Sequence, residues 1–384
     1  MIPALAAALA ERETAGLYRH RRIVSAADGP RMTVDGRALV AFCSNDYLGL
    51  AAHPQIRAAF VAAASQHGVG AGAAHLVTGH HALHHELETA LARFTGRARA
   101  LVFSTGYMAN LGIGAAFAPR SAFVAEDRLN HASLIDGARA HGARVRRYAH
   151  ADAEAARRLL AGATARERLV LTDAVFSMDG DLAPLPALAA ACRAHDALLA
   201  VDDAHGLGVL GATGRGSLEH YGLDETAVPV LMGTLGKAFG VFGAFVAGPD
   251  AVIETLIQHA RSYVYTTALP PAIAAAALAA LRVADEEPWR RVRVAALVDR
   301  FRAGAAALRL PVPASATPIQ SLVVGDTRTA LARAAALESA GHLVTPIRPP
   351  TVPDGTARLR VTLSAAHTDD EVDALLVALA RVFA

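Results

Sequence analysis

Lys237 sits in the run VLMGTLGKAFGVFGAF, where a β-rich stretch ends in a glycine-dense turn that presents the lysine between Gly236 and Ala238. Glycines let a backbone turn sharply and let a bulky planar group approach it. A lysine that forms imines must be held near its target and away from bulk water, which lowers its pKa and frees the amine lone pair. Taken alone, a lysine after glycine is more often a surface turn. Thirty-five positions upstream, ALLAVDDAHGLG carries Asp202, Asp203 and His205 at the expected carboxyl end of a strand, the edge at which open α/β sheets bind ligands. An acid pair read by itself also fits a metal site or a turn.

Together the two motifs describe a site for pyridoxal 5'-phosphate (PLP), with Lys237 holding the cofactor as a Schiff base. The ring needs an anionic partner at its pyridine nitrogen, because the protonated ring is the electron sink for a substrate carbanion. Asp202 supplies that charge, and His205, a short turn later, reaches the phenolic oxygen. Phosphate binding calls for backbone N–H groups at a helix start, and VFSTGYMANLGIG offers a strand, a turn with Gly106 and Tyr107, and then a helical pattern. Thr234 adds a second donor. In DRLNHASLIDGAR, His131 precedes another helix, from which an imidazole can lie flat on the ring and donate to a substrate carboxylate. LTDAVFSMDGDLAPL ends a strand with Ser177, a donor to the cofactor oxygen, before Pro184 and Pro186 punctuate the next helix. Each of these last features, read singly, is equally a cap or a core position; their expected convergence on one sheet edge is what argues for a site.

The elements that must position these residues are legible as patterns. Between about residues 98 and 248, β-rich runs alternate with helical ones: ALVF, SAFVA, RLVLTD, ALLAVDD, VPVLMGT and GAFVAG. Such alternation predicts a mostly parallel sheet covered by helices on both faces. Leu83, Leu87, Leu91 and Phe94 recur at helical spacing and stop at Gly96, which predicts a core-facing helix over 81–95. Beyond the Pro270-Pro271 break, an Ala-rich helical region leads to a second alternation, with SLVVG near 321–325, LARAAALESAG near 331–341, RLRVTL near 358–363 and a last amphipathic helix from Thr368. The stretch 311–318, PVPASATP, is the expected loop. The expected fold class is α/β, with an N-terminal helix and short strands over 1–45, a large domain over 46–280 and a small C-terminal α+β domain over 281–384.

The chain's 384 residues include 37 basic and 35 acidic side chains, a net charge of +2, with no run of like charge to serve as a nucleic-acid or membrane stripe. A small-molecule substrate is expected, and no nucleic acid. Hydrophobic residues at 53% and charged residues at 19% exclude extended disorder. Cys43 and Cys192 form neither a CxxC pair nor a disulfide framework and fit structural packing in a reducing compartment. MIPALAAALAERETAG lacks a basic n-region and turns charged at Glu11, unlike a secretory signal, and reads as an amphipathic helix. No segment reaches the ~18 continuous apolar residues of a membrane span. The cytoplasm is the expected location.

Eight motifs in order resemble those of one family: SNDYLGL at 44–50, STGYMAN at 104–110, NHASLIDG at 130–137, VFSMDGDLAPL at 175–185, VDDAHGLGVLG at 201–211, GRGS at 214–217, GTLGKAFG at 233–240 and IRPPTVPDGTARLRVTLSAAH at 347–367. They cover essentially the whole chain and resemble the α-oxoamine synthases. These are fold-type I PLP transferases that condense an amino acid with an acyl thioester and lose carbon dioxide. The resemblance implies Lys237 as the Schiff-base lysine, Asp202 as the pyridinium partner, His131 as the stacking residue, and Ser177 and His205 at the phenolic oxygen. It assigns Gly106, Tyr107 and Thr234 to the phosphate and Arg360 to the amino-acid carboxylate. Arg19 and Thr351 would line the acyl substrate's path, and Asn45 would order the same pocket. Members of the family are homodimers with sites at the subunit interface, which makes Thr266 and Thr267 of YTTALPP candidates to reach the neighbour's phosphate.

Within the family, IRPPTVPDGTARLR and VDDAHG are similar to those of the members that join L-alanine to a pimeloyl thioester in biotin synthesis. Relatives acting on glycine, such as 2-amino-3-ketobutyrate CoA ligase, share the lysine motif and are the alternative. Pimeloyl-CoA and pimeloyl-ACP both remain open as donors; an acidic carrier protein needs a basic patch, for which Arg144, Arg146 and Arg147 are candidates. A departure from the family pattern falls at GVGAGAAHLVTGHHALHHELE, where relatives often place a serine near Ala73 and Ala74. His80, His81, His84 and His85 crowd there, yet HExxH is absent and the helix reading puts several on a wet face, so no metal is expected. A nicotinamide-binding oxidoreductase would rest only on GVGAG at 68–72, which follows no convincing strand. A non-catalytic partner subunit is the remaining alternative, and Lys237 and Asp202 argue against it.

Overall fold

A computed structural model describes residues 1–384. It divides into two units, one made of Asp46–Ser177 and Asp181–Val292, the other of Met1–Asn45, Met178–Gly180 and Arg293–Ala384. The first 45 residues therefore share a unit with the C-terminal region, and the chain changes unit inside the helix Trp289–Ala307.

The larger unit is built on seven strands: β1 (Arg99–Phe103), β2 (Phe123–Asp127), β3 (Arg144–Tyr148), β4 (Arg168–Asp173), β5 (Leu198–Asp202), β6 (Val230–Thr234) and β7 (Ala244–Gly248). Their order is β1-β7-β6-β5-β4-β2-β3, and only β7 runs against the rest. Six strands coincide with the β-rich runs of the sequence. The seventh, β3, escapes them because RVRRY carries three exposed arginines on an edge strand, which masks the apolar pattern.

Successive residues of the central strands serve opposite faces, as the period of two demands. Leu169 and Leu171 join Leu101, Ile113 and Leu134 in one core layer, while Val170 joins Leu188, Leu199 and Val201 in the other. On the first face the helices Gly106–Phe117 and Ala132–Ala140 meet almost backbone to backbone. A Cβ at Gly114 would lie 2.1 Å from the carbonyl oxygen of Gly137, and one at Gly137 would lie 2.5 Å from that of Asn110. The expected Leu-rich helix spans Ala82–Thr95, buries Leu87 and Leu91, and ends at Gly96 in the left-handed conformation that glycine adopts without strain.

In the smaller unit, Val24–Asp28, Arg31–Val34, Arg37–Ala41 and His342–Leu343 form one sheet, and Ile319–Gly325, Ala357–Thr362 and Thr345–Ile347 form a second, antiparallel one. The helix Asp369–Phe383 opens on a capping box between Thr368 and Glu371, and its Leu375 and Leu379 join Phe42, Phe301, Leu322 and Leu359 in the core. The N-terminal helix Ile2–Thr14 forms as expected but buries no residue, leaving Ile2, Leu5 and Leu9 exposed. No helix is long and apolar enough to cross a membrane.

Candidate active site

The carboxyl ends of β4, β5 and β6 and the helix start after β1 converge on one cavity of about 160 Å³ in the larger unit. Gly106, Tyr107, His131, Ser177, Asp202, His205, Thr234 and Lys237 all line it, joined by Asn110, Ser133 and Asp173.

Asp202 closes β5. Its Oδ1 accepts from the Ala204 N–H at 3.0 Å and its Oδ2 from Nδ2 of Asn110 at 2.7 Å. The same amide donates to Oγ of Ser133 at 2.8 Å, while its Oδ1 is buried without a partner. Asp173 closes the adjacent strand β4 and accepts from the backbone N–H of His131 at 2.6 Å. Asn130 ties down the same turn, accepting from the Asp173 N–H at 3.0 Å and donating to the Leu171 carbonyl at 2.9 Å. Burial, reinforced by the neighbouring Asp202, pushes the Asp173 carboxyl well above the usual range.

His131 caps the helix Ala132–Ala140, and its Nδ1 lies 2.7 Å from Oγ of Ser133. Burial lowers its pKa against the opposing pull of Asp202, which favours a neutral ring. Lys237 stands three residues past the end of β6, in a turn closed by bonds from Oγ1 of Thr234 to the Gly243 carbonyl at 3.1 Å and from the Val241 N–H to the Leu235 carbonyl at 2.9 Å. Its Nζ lies 2.7 Å from Nε2 of His205, whose Nδ1 lies 2.7 Å from the hydroxyl of the fully buried Tyr47.

Gly106 begins its helix with Thr105 as N-cap, whose hydroxyl accepts from the Met108 N–H at 3.2 Å. A Cβ at Gly106 would come within 2.7 Å of Cε of Met232, so a group at this helix start meets bare backbone. Tyr107 donates its hydroxyl to the Asp136 carboxylate.

Thr266 and Thr267 do not line this cavity. Thr267 instead bridges to Ala74, and the Ala268 N–H donates to the Ala73 carbonyl at 2.9 Å, so the loop that lacks the usual serine is held through its backbone. Arg19, Asn45, Thr351 and Arg360 belong to the smaller unit. There Arg360 is buried on the strand Ala357–Thr362 with its Nη2 3.3 Å from Oδ1 of Asn45, and Nη2 of Arg19 donates to Oγ1 of Thr351 at 3.1 Å. Arg144 and Arg146 stand exposed on edge strand β3, while Arg147 pairs with Glu126 at 3.0 Å. GVGAG at 68–72 follows the helix Pro54–His67 rather than a strand, which removes the basis of a nicotinamide site.

Sequence reasoning missed Tyr47, Asn110, Ser133 and Asp173. Asp173 carried a usable signal, an acid ending the run RLVLTD as Asp202 ends its own. Asn110 and Ser133 are polar residues inside otherwise apolar helix starts. Tyr47 meets a partner 158 positions away and carries no local signal.

Fold and cavity together define a PLP-dependent transferase. The family model for aminotransferases of class I and II matches residues 37–379. Over 374 residues the chain is 61% identical to the 8-amino-7-oxononanoate synthase of Thioalkalivibrio sulfidiphilus, an alignment covering 97% of this chain and 95% of that relative. A serine palmitoyltransferase structure from S. paucimobilis with PLP bound matches with a TM-score of 0.93 at 29% identity, over 99% of this chain and 96% of that one. The 8-amino-7-oxononanoate synthase structure from Francisella tularensis matches with a TM-score of 0.79 at 30% identity, over 89% and 97%. The chain belongs to the class I and II aminotransferase family and, within it, to the 8-amino-7-oxononanoate synthases, which are fold-type I PLP acyltransferases. Its cavity fits PLP: one amine, two carboxylates, two imidazoles and a helix that starts on glycine share the space.

Proposed function

We propose that the enzyme condenses L-alanine with a pimeloyl thioester, carried on coenzyme A or acyl-carrier protein, to give 8-amino-7-oxononanoate, carbon dioxide and the free thiol in biotin synthesis. One observation carries the reading: Lys237, His205, Asp202 and His131 line one cavity in a chain 61% identical, end to end, to a relative of that name. The proposal includes a cytoplasmic homodimer.

In this reading Lys237 would hold PLP covalently, Asp202 would serve its ring nitrogen, His131 would stack on it, and Ser177 and His205 would serve the phenolic oxygen. Gly106, Tyr107 and Thr234 would hold the phosphate, with Thr266 and Thr267 serving that of the neighbouring subunit. When bound, PLP supplies an electron sink for negative charge at the substrate Cα.

The remaining work falls to the protein. Arg360, oriented by Asn45, would hold the alanine carboxylate and so set which Cα bond stands ready to break. The amine of Lys237 takes the Cα proton. Its contact with His205 gives that proton a second nitrogen to rest on. Arg19 and Thr351 receive the acyl chain. The Cα–acyl bond then forms as the C–S bond breaks and the thiolate leaves, taking its proton from solvent; the carboxylate departs as carbon dioxide, and Lys237 returns its proton to Cα.

Purified holoenzyme assayed for thiol release tests this. Turnover is expected with alanine and pimeloyl-CoA or pimeloyl-ACP, and assay of both donors separates the carriers. Turnover with glycine and acetyl-CoA, with none from alanine and either pimeloyl donor, would sink the assignment.

A further inference from the structure

The histidine-rich run gathers His75, His80, His84, His85 and Glu88 in space, and none of them lines the catalytic cavity. Two roles separate within the group. His84 is wholly buried, with Nε2 2.6 Å from the Leu269 carbonyl and Nδ1 accepting from the His81 N–H at 2.9 Å. Both nitrogens are thus spent on the fold. His80 and His85 are exposed and turn toward Glu88.

We propose that His80, His85 and Glu88 form a three-ligand site for a divalent transition-metal ion of the zinc class. Their ligand atoms lie within 4.8 Å of one another, and Nε2 of His80 is 3.9 Å from Oε2 of Glu88. Two imidazoles and a carboxylate with a fourth position open are a set that zinc accepts, at about 2.0–2.2 Å from each ligand. His85 and Glu88 are three residues apart on the helix Ala82–Thr95, which puts them on one face.

A second observation is independent of that spacing. Metal ligands are characteristically oriented through their other polar atom. Oε1 of Glu88 already accepts from the Val102 N–H at 3.0 Å, leaving Oε2 to face His80. Nδ1 of His80 lies 3.0 Å from Nδ1 of His75, and that ring is stacked on Tyr263 at 4.8 Å and 12°. The ion is structural: it ties the segment 74–80, which pairs with Thr267, to the first turns of the helix.

The test uses tag-free holoenzyme, stripped of metal by chelator and freed of unbound PLP and amino acid. Zn²⁺ is titrated by calorimetry and Co²⁺ by visible absorption, alongside His85→Ala and Glu88→Gln, the latter keeping an oxygen for the Val102 N–H. Expected are one ion per chain, a tetrahedral Co²⁺ spectrum, binding about 100-fold weaker in each variant, and a zinc-dependent rise in melting temperature that both variants lose. Retention of the visible PLP band shows that a variant has folded; should Glu88→Gln fail there, the exposed His85→Ala decides alone. No saturable binding by the wild type, or unchanged affinity in a folded variant, overturns the site.

Discussion

The amine of Lys237 lies 2.7 Å from Nε2 of His205. The opposite nitrogen of that ring lies 2.7 Å from the hydroxyl of Tyr47, so the three groups share a single proton arrangement. A charged Lys237 donates to Nε2 and leaves Nδ1–H pointing at the tyrosine oxygen. A neutral Lys237 accepts from Nε2–H, and the tyrosine hydroxyl then donates to Nδ1. Because a hydroxyl both donates and accepts, Tyr47 accommodates either state.

Tyr47→Phe keeps the ring and removes that adaptability. The lost bond is worth about 1 kcal/mol, or roughly 5-fold. The expected outcome is a kcat lowered by about that factor, a KM for alanine within twofold of wild type, and a displaced limb in the pH–rate profile. Lys237→Ala removes the proposed base and is expected to cost at least ~10³-fold. A Tyr47→Phe profile superimposable on wild type would show that the tyrosine only fills space.

Asn110 holds Asp202 through one amide hydrogen and Ser133 through the other. A buried hydrogen bond to a charged group is worth about 1.5–3 kcal/mol. Asn110→Ala is therefore expected to weaken PLP binding by roughly 10- to 100-fold, read by titrating the apoenzyme and following the visible band. An affinity within twofold of wild type would mean that Asp202 needs no such support.

Gly114→Ala tests the helix contact that sets Asn110 beside Ser133. The new methyl would meet the backbone of Gly137 at 2.1 Å, where no side chain can yield. Destabilisation of about 1–3 kcal/mol is expected, seen as a lower melting temperature. Gly70→Ala, with nothing within 4 Å of its Cβ, serves as the control and is expected to melt like wild type. Equal melting of the two variants would refute the packing argument.

His150 lies between Asp127 at 3.1 Å and Asp181 at 2.8 Å, and these hydrogen-bonded carboxylates raise its pKa to about 9. A folded value above the ordinary 6.5 means the stabilisation is fully present below about pH 6.5 and fades as pH rises through 9. The melting-temperature gap between wild type and His150→Asn should accordingly be widest near pH 6 and closed by about pH 10. A gap that is constant across this range would assign His150 a packing role alone.

Much of the architecture was legible in the sequence because its signals are local. Strand runs such as RLVLTD and VPVLMGT announce themselves by composition and turn boundaries, and Gly96 stops the Leu-rich helix where its periodicity ends. Edge strand β3 was illegible for the opposite reason, since an edge can carry arginines that a buried strand cannot. Lys237, Asp202, His131 and His205 were legible because each sits at a strand end or helix start whose geometry is set by its neighbours. The supporting residues were not, since their value lies in distant partners: Asn110 meets Asp202 from 92 positions away.

By itself, the sequence determined which element most stretches form and which residue types arrive at the sheet's carboxyl edge, because propensity, periodicity and turn chemistry act over a few residues. Tertiary structure alone decided which of those side chains touch. Hydrogen bonds are made or lost over fractions of an ångström, and those distances follow from strand order and from the closeness of the Gly114–Gly137 contact, neither of which is written in any local stretch. The histidine run makes the same point at a second place: its members divide into a buried clamp at His84 and a group at His80, His85 and Glu88 only once Leu269 and Val102 are packed against them.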